Sequence, residues 1–186
     1  MKNYNAQPDI ATMKTLLLAA LLSTAAAAPR PADVPVTPPD FSGSWTLDEA
    51  QSTGLPPYYA EIRSHRLAIT QSDSQLHVGV EIENADPSPL KMEFLYSLSG
   101  VETATQTPIR TPNGNMVVPT RLKATRGDDG RIHITITREI QMRDRTVTGV
   151  VNEVWEMRAD GALVVHRVDQ MPDGRELRAD MVFVKS

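Results

Sequence analysis

Histidine is the residue type in this chain with the widest chemical range, because imidazole ligates metals and transfers protons near neutral pH. The chain has four, His65, His77, His133 and His166. No two stand at the i, i+2 spacing that puts two ligands on one strand face, and no His-Glu-x-x-His motif occurs. We interpret His77, His133 and His166 as solvent-facing, since each lies on the polar side of an alternating segment. We therefore expect no metal site, with a three-histidine site assembled across strands as the alternative.

Nucleophilic and acid–base chemistry finds little support in the sequence. The chain has no cysteine, and no serine sits in a Gly-x-Ser-x-Gly turn. Glu81 with Glu83, or Glu153 with Glu156, would serve as an acid–base pair, but we interpret these carboxylates as solvated. No glycine-rich phosphate loop is present. We therefore predict no catalytic residue and no cofactor, and favour a function other than catalysis.

Aromatic residues offer a stronger indication of binding. Phe94, Tyr96, Trp155 and Phe183 fall within segments that alternate in polarity like strands. They either fill a solid core or line a lumen that holds a small hydrophobic molecule. Arg121 and Lys123 would meet the carboxylate of a fatty-acid-like ligand if they faced inward, but burying unpaired charge is costly. We expect both to face solvent.

The elements that must position these residues are β-strands. Leu76, Val78, Val80 and Ile82 alternate with polar residues, and so do Ile132, Ile134 and Ile136. The other predicted strands are Phe41–Leu47, Arg66–Gln71, Leu90–Leu98, Thr120–Arg126, Thr146–Arg158, Ala162–Gln170 and Glu176–Lys185. Turn sequences such as Pro112-Asn113-Gly114-Asn115 and Ala159-Asp160-Gly161 separate them. Only the stretch around Pro57–Ile62 suggests a helical turn.

The fold class predicted from these strands is all-β. Short turns between consecutive strands make neighbours antiparallel, and a sheet of about 8–10 twisted strands avoids exposed edges by closing. We therefore predict an antiparallel up-and-down β-barrel. A two-sheet sandwich is the alternative.

The amino-terminal residues predict export. Met13-Lys14-Thr15 precedes an apolar run, Leu16–Leu22, and the small residues Ala25–Ala28, as in a secretory signal peptide. We assign residues 1–28 to this signal, with Met13 as a candidate start. Residues 29–39 contain five prolines and form a spacer, and residues 40–186 form the barrel domain. The apolar run is shorter than the roughly 20 residues that a membrane-spanning helix needs.

Charge and cysteine usage narrow the partners of the mature chain. Removing residues 1–28 takes away Lys2, Lys14 and Asp9, which leaves 17 basic and 22 acidic residues. This balance disfavours nucleic acid as a partner, since phosphate binding needs clustered positive charge. Without cysteine the chain has no disulfide framework and no lipid-modified cysteine as an anchor. We expect a periplasmic or secreted protein.

One segment resembles a known family. Asp40-Phe41-Ser42-Gly43-Ser44-Trp45-Thr46-Leu47-Asp48 is similar to the opening strand of secreted bacterial lipocalin-like proteins, which carry Gly-x-Trp followed by Leu-Asp. The order of elements resembles that family over residues 40–186. The resemblance implies structural roles for Gly43 and Trp45, and a late arginine, here Arg178, packed over the tryptophan. The Thr-Asp-Tyr-type loop of lipocalins proper does not occur in this chain.

Together these observations predict an exported lipocalin-like barrel that binds a small hydrophobic or amphipathic molecule. Phe94, Tyr96, Trp155 and Phe183 are the expected ligand contacts. The alternative is a barrel with a filled core that acts through its surface as an envelope interaction or stress module. A third class, an enzyme, would be favoured by a buried acid or histidine of perturbed pKa at a cavity.

Overall fold

The computed structural model describes residues 38–85, 89–111, 114–141, 144–171 and 173–186, without the side chains of residues 110, 111, 114 and 115. Every described residue belongs to one compact unit, Val36–Ser186. The predicted signal peptide and most of the proline-rich spacer lie outside the described residues.

The described chain forms strands almost throughout. They are β1 Gly43–Leu47, β2 Ile62–Gln71, β3 Gln75–Asn84, β4 Leu90–Ser97, β5 Thr103–Thr111, β6 Gly114–Arg126, β7 Ile132–Gln141, β8 Thr146–Met157, β9 Leu163–Gln170 and β10 Glu176–Lys185. One 3-10 turn, Pro57–Glu61, lies between β1 and β2. The predicted all-β class and the short helical turn are confirmed.

The strands form one antiparallel sheet in the order β4-β3-β2-β1-β10-β9-β8-β7-β6-β5. The first and last strands pair with each other, with Trp45 opposite Lys185 and Leu47 opposite Phe183. All other pairings join consecutive strands, so the sheet is an up-and-down, nearly closed barrel. The predicted barrel is confirmed over the sandwich.

Closure is incomplete between β4 and β5, which stand at the two ends of the strand order. Near one end of the barrel the connection after β4 joins β6: Gly100 N donates to Ala124 O at 2.8 Å, and Ser99 bridges Thr125. No ladder of the described residues joins β4 to β5 along their length. We call this opening the seam.

The core lies inside the barrel and follows the alternation of the strands. On β7, Ile132, Ile134 and Ile136 are buried while His133 is exposed. On β3, Leu76 and Val78 are buried while His77 is exposed. This is the face assignment that period-two patterning predicts.

Strand β5 was not predicted. Its sequence, Thr103–Thr111, alternates threonines rather than large apolar residues, so it has no hydrophobic pattern. The inward-facing Thr107 is nonetheless buried, and its hydroxyl lies 2.7 Å from that of Thr120 on β6. A hydrogen bond between the two hydroxyls takes the place of an apolar contact. The alternation of apolar residues that predicts a strand is therefore missing here.

Candidate functional site

A cavity of about 140 Å³ lies in the lumen of the barrel, lined by residues of the 3-10 turn and of seven strands. All four aromatic residues predicted as ligand contacts line it, namely Phe94, Tyr96, Trp155 and Phe183. Each is buried, and the rings of Phe94 and Tyr96 stack with centroids 5.9 Å apart. The fold therefore brings together side chains that are up to 89 positions apart in sequence, from Phe94 to Phe183.

The size of this cavity limits what it holds. Pockets for drug-sized ligands enclose about 300–1,000 Å³, and the lumen offers about 140 Å³. An apolar cavity of about 150 Å³ in another protein holds one benzene molecule. Side chains therefore fill most of the lumen, and the space that remains matches a molecule of about that size.

The cavity wall also carries charge, from Glu153 on β8 and Arg167 on β9, and Asp169 on β9 pairs with Arg167. Arg167 Nη1 donates to Glu153 Oε1 at 2.9 Å, and its Nε donates to Asp169 Oδ1 at 2.7 Å. The second Glu153 oxygen accepts a hydrogen bond from Trp155 Nε1 at 2.9 Å. Burial alone would lower the pKa of Arg167, but the two carboxylates outweigh burial and raise it. Each of the three side-chain nitrogens of Arg167 therefore donates a hydrogen bond within the protein.

Arg138 on β7 is the second arginine on the cavity wall, and it is bonded differently. Its Nε atom is buried and has no hydrogen-bond partner among the described residues. No hydrogen bond or ion pair joins its guanidinium to that part of the chain. Burial and the charge of Arg167 lower the pKa of Arg138, against the smaller raising effects of Glu153, Asp169 and Tyr96. A guanidinium nevertheless remains charged in proteins.

The position of Arg138 in the sheet leaves space beside it. Its cross-strand neighbour on β8 is Gly149, which shares its inward face. A Cβ atom added at Gly149 would meet no atom within 4 Å. The neighbour on β6 is Thr120, whose hydroxyl is paired with Thr107. The strand position opposite Arg138 therefore offers open space on the inward side of Gly149.

His65 on β2 is the third polar feature of the lumen. It is 8% exposed, lines the cavity, and its Nδ1 lies 3.3 Å from the hydroxyl of Tyr59 in the 3-10 turn. Its ring meets Phe183 edge-on, with centroids 5.3 Å apart. Burial, with a smaller contribution from the charge of Arg167, lowers the pKa of His65 to about 4. The imidazole is therefore neutral at neutral pH.

The two basic residues that the sequence suggested as contacts for a ligand carboxylate face away from the lumen. Arg121 and Lys123 on β6 are exposed, as expected, and Arg121 pairs with Glu139. The cations inside the barrel are instead Arg138 and Arg167. Sequence reasoning missed both as inward residues, although each continues the inward alternation of its strand, Arg138 after Ile136 and Arg167 after Val165.

The outer histidines behave largely as expected. His77 and His133 are exposed, and His77 lies 2.7 Å from Glu93. His166 lies on the outer face between Asp180, at 2.7 Å, and Glu156, at 3.3 Å. Across the residues that the structure describes, no group of three or more His, Asp or Glu side chains is arranged to hold a metal ion.

The Gly-x-Trp segment has a structural role in strand β1. Trp45 is on β1 and fully buried, and its indole N–H donates to Phe41 O at 2.9 Å. Gly43 has φ of +140°, a conformation that L side chains rarely adopt, so the glycine of the motif follows from the backbone.

The cation beside Trp45 is not the arginine that the resemblance suggested. Lys185 Nζ lies 5.2 Å from the indole centroid. Arg178 has a 70% exposed side chain and pairs with Glu176. The reason is register: Lys185 is directly opposite Trp45 on β10, whereas Arg178 is seven residues away along that strand.

The fold and the site are interpreted from the geometry of the structure itself. No protein-family model matches the chain, and no curated protein matches it. The described residues contain no helix long and apolar enough to cross a membrane. The antiparallel up-and-down barrel is compatible with a lipocalin-like fold.

Proposed function

We propose that this chain is a lipocalin-like carrier that binds one small hydrophobic or amphipathic molecule inside its barrel. The observation that carries the proposal is the lumen cavity, which combines an aromatic and aliphatic lining with a few polar groups. Such a composition is typical of small-molecule sites, where apolar surface supplies affinity and polar groups fix orientation. Fold likeness to lipocalins supports the proposal by analogy only.

The proposal includes export. Residues 13–28 have the layout of a secretory signal peptide, with a charged start, an apolar run and small residues before Pro29. The carrier then works in the periplasm or outside the cell. Amino-terminal sequencing of the protein isolated from its own cells tests this, with a first residue near Ala28 or Pro29 expected. Recovery of the intact leader in the cytoplasm would contradict it.

The test of binding is native mass spectrometry of the mature protein, purified without detergent from its own cells. We expect an added mass of about one small molecule that is lost on denaturation. Val80 lines the cavity, so Val80→Phe should fill it and abolish the added mass. Val117→Phe is the matched control, because Val117 is 60% exposed on β6.

A clean mass for the wild-type protein, with nothing retained from a lipid and metabolite extract, would favour the alternative function. That alternative is a filled barrel acting through its surface as an envelope interaction module. The small size of the cavity favours it, and so do the exposed side chains of Leu95, Val101 and Val117.

An enzyme is a third candidate, favoured by a single observation. His65 is a buried, neutral imidazole in contact with Tyr59 at the cavity wall, and perturbed groups of this kind cluster at catalytic sites. Chemical conversion of the molecule found by mass spectrometry, lost in His65→Gln while binding persists, would establish catalysis. Unchanged recovery of that molecule would exclude it.

A further inference from the structure

We propose that the ligand is a small monocarboxylate of about the size of benzoate, and that Arg138 binds its carboxylate. This inference rests on the proposed binding function and adds the chemical class of the ligand. It follows from three features of the lumen: the bonding of its two arginines, the distribution of its charges and the size of its cavity.

The two arginines of the lumen differ in their hydrogen bonds, which gives Arg167 a structural role and leaves Arg138 for binding. Arg167 donates to Glu153 and to both oxygens of Asp169, so each of its three side-chain nitrogens is bonded within the protein. Arg138 has none of these bonds to the described residues. It is partly buried, with its Nε fully buried, and donors left without a partner in such a place are unfavourable. An arginine at this position is explained if an anion from outside the chain accepts hydrogen bonds from its guanidinium.

Of the two arginines that line the cavity, Arg167 is the one hydrogen-bonded to the carboxylates of Glu153 and Asp169. These carboxylates act on Arg138 through their charge, without a hydrogen bond. Among the described residues, the arginine donors left open toward the cavity are therefore those of Arg138. A carboxylate placed there accepts two parallel hydrogen bonds from one guanidinium, the geometry in which arginine pairs best with planar anions. A neutral ligand would leave the guanidinium unpaired.

The volume of the cavity determines whether a short or a long carboxylate fits. The cavity of about 140 Å³ matches the space that holds benzene in another protein, about 150 Å³. A fatty acid with a long chain needs a pocket of several hundred Å³. The aromatic rings of Phe94 and Trp155 on the cavity wall are suited to a flat or short apolar body.

The experiment compares three probes by isothermal titration calorimetry: benzoate, benzyl alcohol and decanoate. Benzyl alcohol has nearly the shape of benzoate without its charge, and decanoate has the charge with a longer chain. We expect wild-type protein to bind benzoate about tenfold or more tightly than benzyl alcohol, as expected for a charge-assisted hydrogen bond. Decanoate should bind more weakly than benzoate.

Three variants connect the preference to Arg138. Arg138→Met should equalise benzoate and benzyl alcohol, while Arg138→Lys should keep part of the preference. Arg121→Met is the matched control, because Arg121 is exposed on the outer face of β6 and should leave both affinities unchanged.

The outcomes separate this inference from the proposed function. If benzyl alcohol binds as tightly as benzoate and Arg138→Met changes neither, the carboxylate assignment is overturned while binding in the lumen stands. If decanoate binds more tightly than benzoate, the size assignment is overturned. If no probe binds and native mass spectrometry is clean, the proposed function itself fails. Should Arg138→Met not fold, the wild-type comparison of benzoate with benzyl alcohol still decides.

Discussion

Trp45 is the residue on which closure of the barrel depends most directly. It lies on the short strand β1 between β2 and β10, is fully buried, and is tied to Phe41 O through its indole N–H. Removing a buried aromatic side chain costs about 3–5 kcal/mol. We therefore expect Trp45→Ala to lower the free energy of unfolding by about that amount, measured by urea titration.

Trp45→Phe serves as the control for the ring. It keeps an aromatic ring but loses the hydrogen bond to Phe41 O, which is worth about 1 kcal/mol, and part of the ring surface that faces Lys185. Unchanged stability of Trp45→Ala would mean that the Gly-x-Trp segment does not anchor this barrel, and the lipocalin-like interpretation would lose its main structural support.

His65 makes stability depend on pH in mild acid. Its pKa is about 4 in the folded protein and about 6.5 in an unfolded chain. The unfolded state therefore binds more protons between these values, and stability falls as the pH is lowered through that window. We expect this group alone to remove about 2 kcal/mol between pH 7 and pH 5.

The measurement is the free energy of unfolding at several pH values for wild type and His65→Gln. His166 acts in the opposite direction: its contacts with Asp180 and Glu156 outweigh desolvation and raise its pKa, so its contribution weakens as the pH rises. It is common to both proteins, so the difference between them isolates His65. Parallel pH profiles would show that His65 is not protonated on unfolding in this range.

At the scale of elements, the β5–β6 hairpin is the least supported part of the sheet. Pairing of β6 with β7 begins at Thr120 opposite Arg138, so residues 114–119 of β6 pair only with β5. Pro119 stands where the next bond to β7 would form, and proline has no N–H to donate. Pro108 on β5 likewise removes a donor on the side of the seam, because a proline within a ladder turns its nitrogen away from its partner.

We expect this distal half of the hairpin to open more readily than the rest of the barrel, because an isolated two-stranded ribbon is only marginally stable. Hydrogen exchange followed by mass spectrometry should show faster exchange in residues 114–118 than in 121–125. Pro119→Val, which supplies the missing donor opposite Glu139, should slow exchange there. Equal exchange in both segments of wild type would contradict this description.

At the scale of the whole molecule, the barrel is held by contact between its first and last strands. Strand β1 pairs with β10, so residues 45–47 meet residues 183–185. Residues from both halves then share one core, in which Trp45 and Phe183 are fully or almost fully buried. The barrel cannot form in part, and we expect it to unfold as one cooperative unit.

Two truncations test this expectation. A chain of residues 36–186 should unfold at the same urea concentration as the mature protein, because every described residue of the barrel belongs to the unit Val36–Ser186. A chain that ends at Val182 loses Phe183 and every residue of β10 that pairs with β1, and should show no cooperative transition. A cooperative transition in the second chain would show that closure by β10 is dispensable.

Much of this architecture was predictable from sequence, for a local reason. Side chains of a strand alternate between two faces, so Leu76, Val78 and Ile132–Ile136 identify strands and their apolar faces without knowledge of the fold. Turn residues then mark where strands reverse. The same local rule missed β5, whose inward threonines satisfy one another by hydrogen bonds rather than by apolar contact.

The candidate site was only half predictable. The aromatic lining was identified because Phe94, Tyr96, Trp155 and Phe183 fit the strand pattern, yet Arg138 and Arg167 were not recognised as inward residues. A charged residue in a strand is expected to face water, and only closure of the sheet turns these positions toward a shared interior. Sequence alone thus determined the strands, the turns and the class of fold, because these depend on neighbouring residues. Tertiary structure decided that Arg167 is hydrogen-bonded to carboxylates and that Arg138 is not, because such bonds depend on the registers between strands.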